Sequence, residues 1–243
     1  MSRDLTVLSE IWEPLQVVIS LLSNRKSDPA RDHLINEAIM ADILGEAPIA
    51  PPPSTLPPEA NEVLHAIFAL HSCMKRFEIF PLMFRRCPWR GKISREAHLE
   101  STFYLLAHEA YILEERLKSF LNAIDTLATR KSIDIEIGKI RKLLLQIHKK
   151  AFGKFVRMRG THVHEEEFAP REIKRVGLLR TLAMSKEPAY EMLYARALRD
   201  AKATWSKQSE TAQASTEKLV ATAFKLTKPV WNTLGQESGE RCP

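Results

Sequence analysis

A chain of 243 residues, 44% of them hydrophobic, can bury a real core and is too apolar to be disordered throughout. Its formal net charge of +6 permits a phosphate-rich partner without demanding one. Eight glycines speak against a sheet rich in tight turns, and three cysteines (Cys73, Cys87, Cys242) at no metal-site spacing argue against a zinc ribbon or a disulfide framework, which fits a reducing cytoplasm.

The opening MSRDLTVLSEIWEP breaks its apolar residues with Asp4, Glu10 and Glu13 and does not read as a signal peptide. No apolar run approaches bilayer length, so no membrane association is expected. Residues 4–23 carry an apolar face (Leu5, Leu8, Trp12, Leu15, Val18, Ile19, Leu22) that Pro14 would kink, and a second helix is expected over 30–44. Residues 1–48 thus form an N-terminal helical segment. The proline-rich stretch 49–59 within IAPPPSTLPPEA reads as a stiff, extended linker rather than a ligand for a proline-reading domain.

A helical bundle follows over 60–228. Its first helix covers 59–86 and ends in RRCPWRGK, a basic turn read as a loop anchored by Trp89 rather than a nucleic-acid contact. No proline falls between Trp89 and Ala169. Over 94–128, with Ser94 as N-cap, the apolar positions run Leu99, Phe103, Leu106, Ala110, Leu113, Leu117, Phe120, Ile124, Leu127 in alternating steps of four and three, a seam buried against other helices. Residues 132–159 repeat the pattern through Ile133, Ile137, Ile140, Leu144, Ile147, Ala151, Phe155 and Met158, with Ser132 capping the start and Gly160 the end. A connection of about three residues makes this central pair antiparallel. Pro170 opens a helix to about Ser185, and a less apolar helix runs from Glu187 to about Lys228. Its KATWSKQSETAQASTEK stretch reads as exposed or frayed, and 229–243 reads as a disordered tail.

The stretch RMRGTHVHEEEF, residues 157–168, carries more ionisable groups than a link between helices needs. Metal binding by His162, His164 and a carboxylate is disfavoured, because an H-x-H pair converges on an extended strand and no strand pattern surrounds it. No metal or cofactor is therefore expected. A second reading is metal-free phosphate chemistry. Arg159 and His164 would point roughly 140° apart on a continuous helix, but a helix stopping at Gly160 would let them turn toward one another. The arginine fork holds a phosphodiester and the imidazole moves a proton near neutral pH, the minimum equipment for cleaving RNA through its own 2′-hydroxyl. Arg157 and His162 have the same spacing, so this chemistry leaves the register open. A third reading is structural: Arg159 satisfies the last carbonyls of its helix, and Glu165 to Glu167 favour the N-terminus of the next.

The run from Arg159 to Glu165, R-G-T-H-V-H-E, resembles the R-x(4)-H signature of the HEPN superfamily, with Val163 before the histidine and Glu165 after it. Gly160 stands where that signature usually has Asn or another polar residue. The resemblance covers roughly 94–185 and selects Arg159 and His164 as the catalytic pair. It implies an all-α, HEPN-like fold and a homodimer whose two motifs meet in a cleft. It also implies a metal-independent ribonuclease of the toxin or defence kind, with a protein partner or antitoxin in some members. Other members are non-catalytic and bind nucleotides or proteins. Glu109 or Glu115 on the preceding long helix would assist, beside His162 and Glu165. Lys149, Lys150, Lys154, Arg157, Arg171, Lys174 and Arg175 lie near the motif and suit RNA, with Lys154 and Arg157 as phosphate-binding residues.

Overall fold

A computed structural model describes the backbone of residues 58–86, 93–164 and 170–239, and the side chains of 61–86, 93–158 and 170–233. The expectations for 1–48, most of 49–59 and most of RRCPWRGK lie outside the described residues. Within them the fold is all-α, as expected, with six helices and no strand: α1 Pro58–Arg85, α2 Arg95–Arg130, α3 Ile137–His164, α4 Arg171–Ala183, α5 Pro188–Leu226 and α6 Lys228–Gly239.

Helix α2 forms as its pattern dictates. Ser94 Oγ accepts the Ala97 N–H at 3.3 Å, closing the N-cap, and all nine seam residues from Leu99 to Leu127 are buried. Each of the eight Leu, Ile and Phe side chains among them contributes on the order of 1.5–3 kcal/mol through the apolar surface it removes from water. The helix ends differently from expectation. Ser132 does not cap α3; it stands just past α2 in the left-handed region, with φ 52°. Its N–H donates to the Thr129 carbonyl at 3.2 Å and that of Ile133 to Ala128 at 2.9 Å, the paired bonds of a Schellman stop. The link to α3 is therefore residues 131–136, still too short for anything but an antiparallel return.

Helix α3 departs from expectation twice. Its buried line passes through Leu144, His148, Phe152 and Phe155, whereas Ala151 is exposed and Ile147 only half-buried. Seating Phe152 buries far more apolar surface than Ala151 could, and the ring of His148 finds a polar partner inside. The second departure is the end of the helix. Gly160 does not stop α3, which continues to His164. A glycine inside a helix costs about 1 kcal/mol against alanine but blocks nothing, and the next proline is ten residues on, at Pro170.

Pro170 precedes rather than opens α4. Its carbonyl accepts the N–H groups of Ile173 and Lys174, both at 2.9 Å. The tail expected to be disordered from 229 is helical to Gly239 as α6, anchored by buried Val230 and Trp231.

Packing divides the chain into two compact units. The larger takes Ala69–Lys118 and Arg141–Val220. Its centre is Trp205, whose ring lies 4.8 Å from Phe103, 6.1 Å from Phe84 and 6.4 Å from Phe155 between centroids. Around it, the polar stretch expected to lie on the surface is packed inward: Trp205, Ser206, Ser209, Ala212 and Thr216 are buried. Their hydroxyls do not need water. Ser209 Oγ donates to the Ser206 carbonyl at 2.8 Å and Thr216 Oγ1 to Ala212 at 2.9 Å. The smaller unit includes Ser119–Ile140 and the described residues of 58–68 and 221–239. There Phe120 stacks on Trp231 and meets Phe224 edge-on, and the Trp231 indole N–H donates to Thr227 Oγ1 at 3.1 Å.

Candidate nucleic-acid interface

The C-terminal half of α3 presents two different faces. One is the buried line just described. The other carries Lys149, Lys150, Lys154 and Arg157, all exposed. Lys150, Lys154 and Arg157 follow one another at steps of four and three, so they share a stripe along the helix. Lys154 and Arg157, expected to hold phosphate, are therefore on an accessible cationic surface. Arg171, Lys174 and Arg175 are exposed at the start of α4.

Arg159, His162 and His164 all belong to α3, while Glu165 lies outside the described residues, as do the side chains of the other three. Along the continuous helix Arg159 stands one turn beyond Phe155 and His164 two turns beyond Arg157. Five residues correspond to roughly 140° around the axis, so one α3 does not bring the two positions together. This corrects the expectation built on a helix ending at Gly160.

The two carboxylates proposed as assistants are elsewhere. Glu109 Oε2 accepts from Arg76 Nε at 2.7 Å, and Arg76 also reaches Cys73 Sγ at 3.2 Å. Burial pushes the Cys73 thiol up, with Arg76 opposing. Glu115 is exposed and pairs with Lys118 at 2.8 Å. Neither faces α3.

A carboxylate of α2 that does approach α3 is Glu114. Its Oε2 lies 3.6 Å from Nδ1 of His148, beyond hydrogen-bond range, while its other oxygen accepts from Lys118 at 2.8 Å. His148 is 1% exposed. Its Nε2 donates to the Ala110 carbonyl at 2.9 Å, and its ring stacks on Phe152 with centroids 5.1 Å apart. Burial lowers the His148 pKa, with the Ala110 bond and the Glu114 charge opposing, so near neutral pH the ring is uncharged with its proton on Nε2. Glu114 and His148 line a cleft of about 390 Å³ with Leu145, Lys149, Gly153, Val156 and Arg157. Sequence reading passed over both residues. His148 had a signal, lying four residues from Leu144 and from Phe152 on the apolar line; Glu114 lies four beyond Ala110.

Among the described residues no three His, Cys, Asp or Glu side chains are grouped to hold a metal, and no helix is long and apolar enough to cross a membrane. Comparison with protein-family models, with curated proteins and with solved structures finds no match to this chain.

Proposed function

We propose that this chain binds RNA through the exposed cationic stripe of α3 and cleaves it without metal, as the HEPN-like motif implies. The observation that carries the binding half is the run of Lys149, Lys150, Lys154 and Arg157 along one accessible stretch of helix. Regularly spaced cations attract a strand of phosphates and release its counterions, and they impose no base sequence. The cleavage half rests on Arg159 and His164. His164 takes the 2′-hydroxyl proton or gives one to the leaving oxygen, and Arg159 stabilises the charge growing on phosphorus. Because one continuous α3 separates these positions, the reaction needs two copies of the chain, each supplying one member of the pair. A homodimer is therefore part of the proposal.

The test is cleavage of a mixed-sequence RNA in excess EDTA by wild type, Arg159→Ala and His164→Ala. Loss of cleavage in each variant, with partial recovery when the two are mixed, supports an active site shared between copies. Cleavage that persists unchanged in His164→Ala overturns the assignment.

A second reading has its own support. Leu178, Leu182, Met184, Met192 and Leu193 are exposed within sixteen residues at the end of α4 and the start of α5. Apolar side chains concentrated in so short a stretch fit a non-catalytic module that docks a protein, including a second copy or an antitoxin-like partner. Self-association without any RNA cleavage favours that reading.

A further inference from the structure

The exposed apolar side chains around the α4–α5 link stand in an order that docking of a protein does not require. The link is residues 184–187, so the end of α4 and the start of α5 meet at one corner. The apolar groups crowd this corner: Met184 is 75% exposed, Met192 69% and Leu178 64%. Cations stand behind it on both arms. On α4, Arg175 and Arg171 precede Leu178 by three and seven residues; on α5, Arg199 follows Met192 by seven. At about 1.5 Å per residue these arginines are set back by roughly 5–10 Å. All three are exposed.

The local fold enforces that order. Ile173 and Val176 are the buried residues of α4. At roughly 100° per residue, Arg171, Arg175, Leu178 and Leu182 fall on one stripe of the helix, opposite those two. On α5, buried Ala197 and Leu198 likewise turn Met192 and Arg199 outward. Tyr190 and Tyr194 flank Met192 and Leu193 and are half-buried. A phenol, apolar on its ring and polar at its tip, suits a boundary between hydrocarbon and water.

A lipid surface presents the matching order of chemistries, hydrocarbon beneath a layer of headgroups. An amphipathic element seats its apolar groups about 5–10 Å into that boundary while its Lys and Arg heads stay with the phosphates. From Arg171 to Asp200, seven lysines and arginines stand against four carboxylates, so the favoured surface is anionic. The lack of an apolar run of bilayer length bears on crossing a membrane and not on resting against one. We infer that the α4–α5 corner docks on an anionic lipid surface, its Leu and Met side chains entering the boundary and Arg171, Arg175 and Arg199 pairing with headgroup phosphates. The inference does not rest on RNA binding or cleavage.

The test is co-sedimentation of the full chain with phosphatidylcholine vesicles, either pure or carrying about 30% phosphatidylserine. Wild type is compared with a Met184→Asp, Met192→Asp double variant, an Arg171→Gln, Arg175→Gln double variant and a Lys150→Ala, Lys154→Ala double variant. All six side chains are exposed, and the first two variants disturb the corner by unrelated routes. Wild type is expected to bind the anionic vesicles at least tenfold more tightly than the neutral ones. Both corner variants lose at least tenfold of that binding, and the Lys150, Lys154 variant loses less than threefold. No binding to anionic vesicles, equal binding to the two kinds, or binding indifferent to either corner variant overturns the inference. So does a loss confined to the Lys150, Lys154 variant, which assigns the vesicles to the α3 stripe. A wild-type dimer that the methionine variant dissociates also overturns it, because a second copy then covers the corner. RNA binding retained in any of these cases leaves the α3 stripe standing and removes only the lipid contact.

Discussion

His148 and Ala110 are joined across α2 and α3 by a 2.9 Å hydrogen bond from the ring Nε2 to a main-chain carbonyl. The carbonyl belongs to a small residue in the buried seam, which lets the imidazole approach the backbone. The bond satisfies a polar group that is 1% exposed, fixes which nitrogen carries the proton, and aims the other at Glu114. One contact therefore ties the packing of the helix pair to the chemistry of the cleft beside it.

This burial makes stability depend on pH. The His148 pKa is lowered in the folded chain, first by burial, so the unfolded chain binds the proton more readily. The stabilising contribution is complete above the unfolded value of about 6.5 and declines as the pH falls through it. Partly buried His71, also lowered by burial and by Lys75, acts in the same direction. Urea unfolding followed from pH 8 to pH 5 is expected to show falling stability below about pH 6.5, with a shallower fall in His148→Gln. An identical slope in that variant would contradict the account.

Trp205 is the centre of the larger unit, yet its buried indole N–H has no acceptor among the described residues. An orphan donor of this kind costs on the order of 1–3 kcal/mol. Trp205→Phe removes the orphan along with some apolar surface, so we expect a loss below about 2 kcal/mol. Trp205→Ala, which leaves a void among Phe84, Phe103 and Phe155, should cost about 3–5 kcal/mol. Equal losses in the two variants, measured by chemical denaturation, would mean the indole N–H is satisfied.

Arg76 and Glu109 form a 2.7 Å ion pair whose carboxylate is only 13% exposed and whose guanidinium is 42% exposed. Solvent screening of the arginine limits its worth, and a double-mutant cycle with alanine at both positions should return about 0.5–1.5 kcal/mol. Glu109→Ala should leave any RNA cleavage within about threefold of wild type, because a group bonded to Arg76 acts on packing. A loss beyond a hundredfold would restore it to the catalytic machinery.

Much of the fold was legible because hydrophobic spacing is local. The α2 seam was read in full, since nine apolar residues in alternating steps admit one helical face. The α3 line was misread by one position: Ile147 and Ala151 look more apolar than His148, and nothing local shows that Ala110 offers the histidine a carbonyl. The Ser- and Thr-rich part of α5 was read as surface because its hydroxyls look hydrophilic, although those of Ser209 and Thr216 bond to carbonyls of their own helix and that of Ser206 to the Pro81 carbonyl. The Glu114–His148 cleft joins residues on different helices, so no spacing could announce it. The end of α3 failed for another reason. A glycine is compatible with a helix stop and with a helix interior, and residues 161–164 do not distinguish the two.

Gly160 offers a direct check on that correction. A continuous helix gains from Gly160→Ala, by up to about 1 kcal/mol, whereas a left-handed stop would lose stability on receiving a Cβ. We expect Gly160→Ala to raise the midpoint of urea unfolding. A lowered midpoint would return the helix end to Gly160 and with it the convergence of Arg159 and His164 within one chain.

The most direct test of the central claim is the salt dependence of single-stranded RNA binding to wild type and to a Lys150→Ala, Lys154→Ala double variant, plotted as the logarithm of the binding constant against that of salt concentration. If the α3 stripe holds the phosphates, wild type shows a steep negative slope, and losing two contacts makes it shallower by about 1.4, at about 0.7 per phosphate. A slope and an affinity indistinguishable between the two proteins would contradict it.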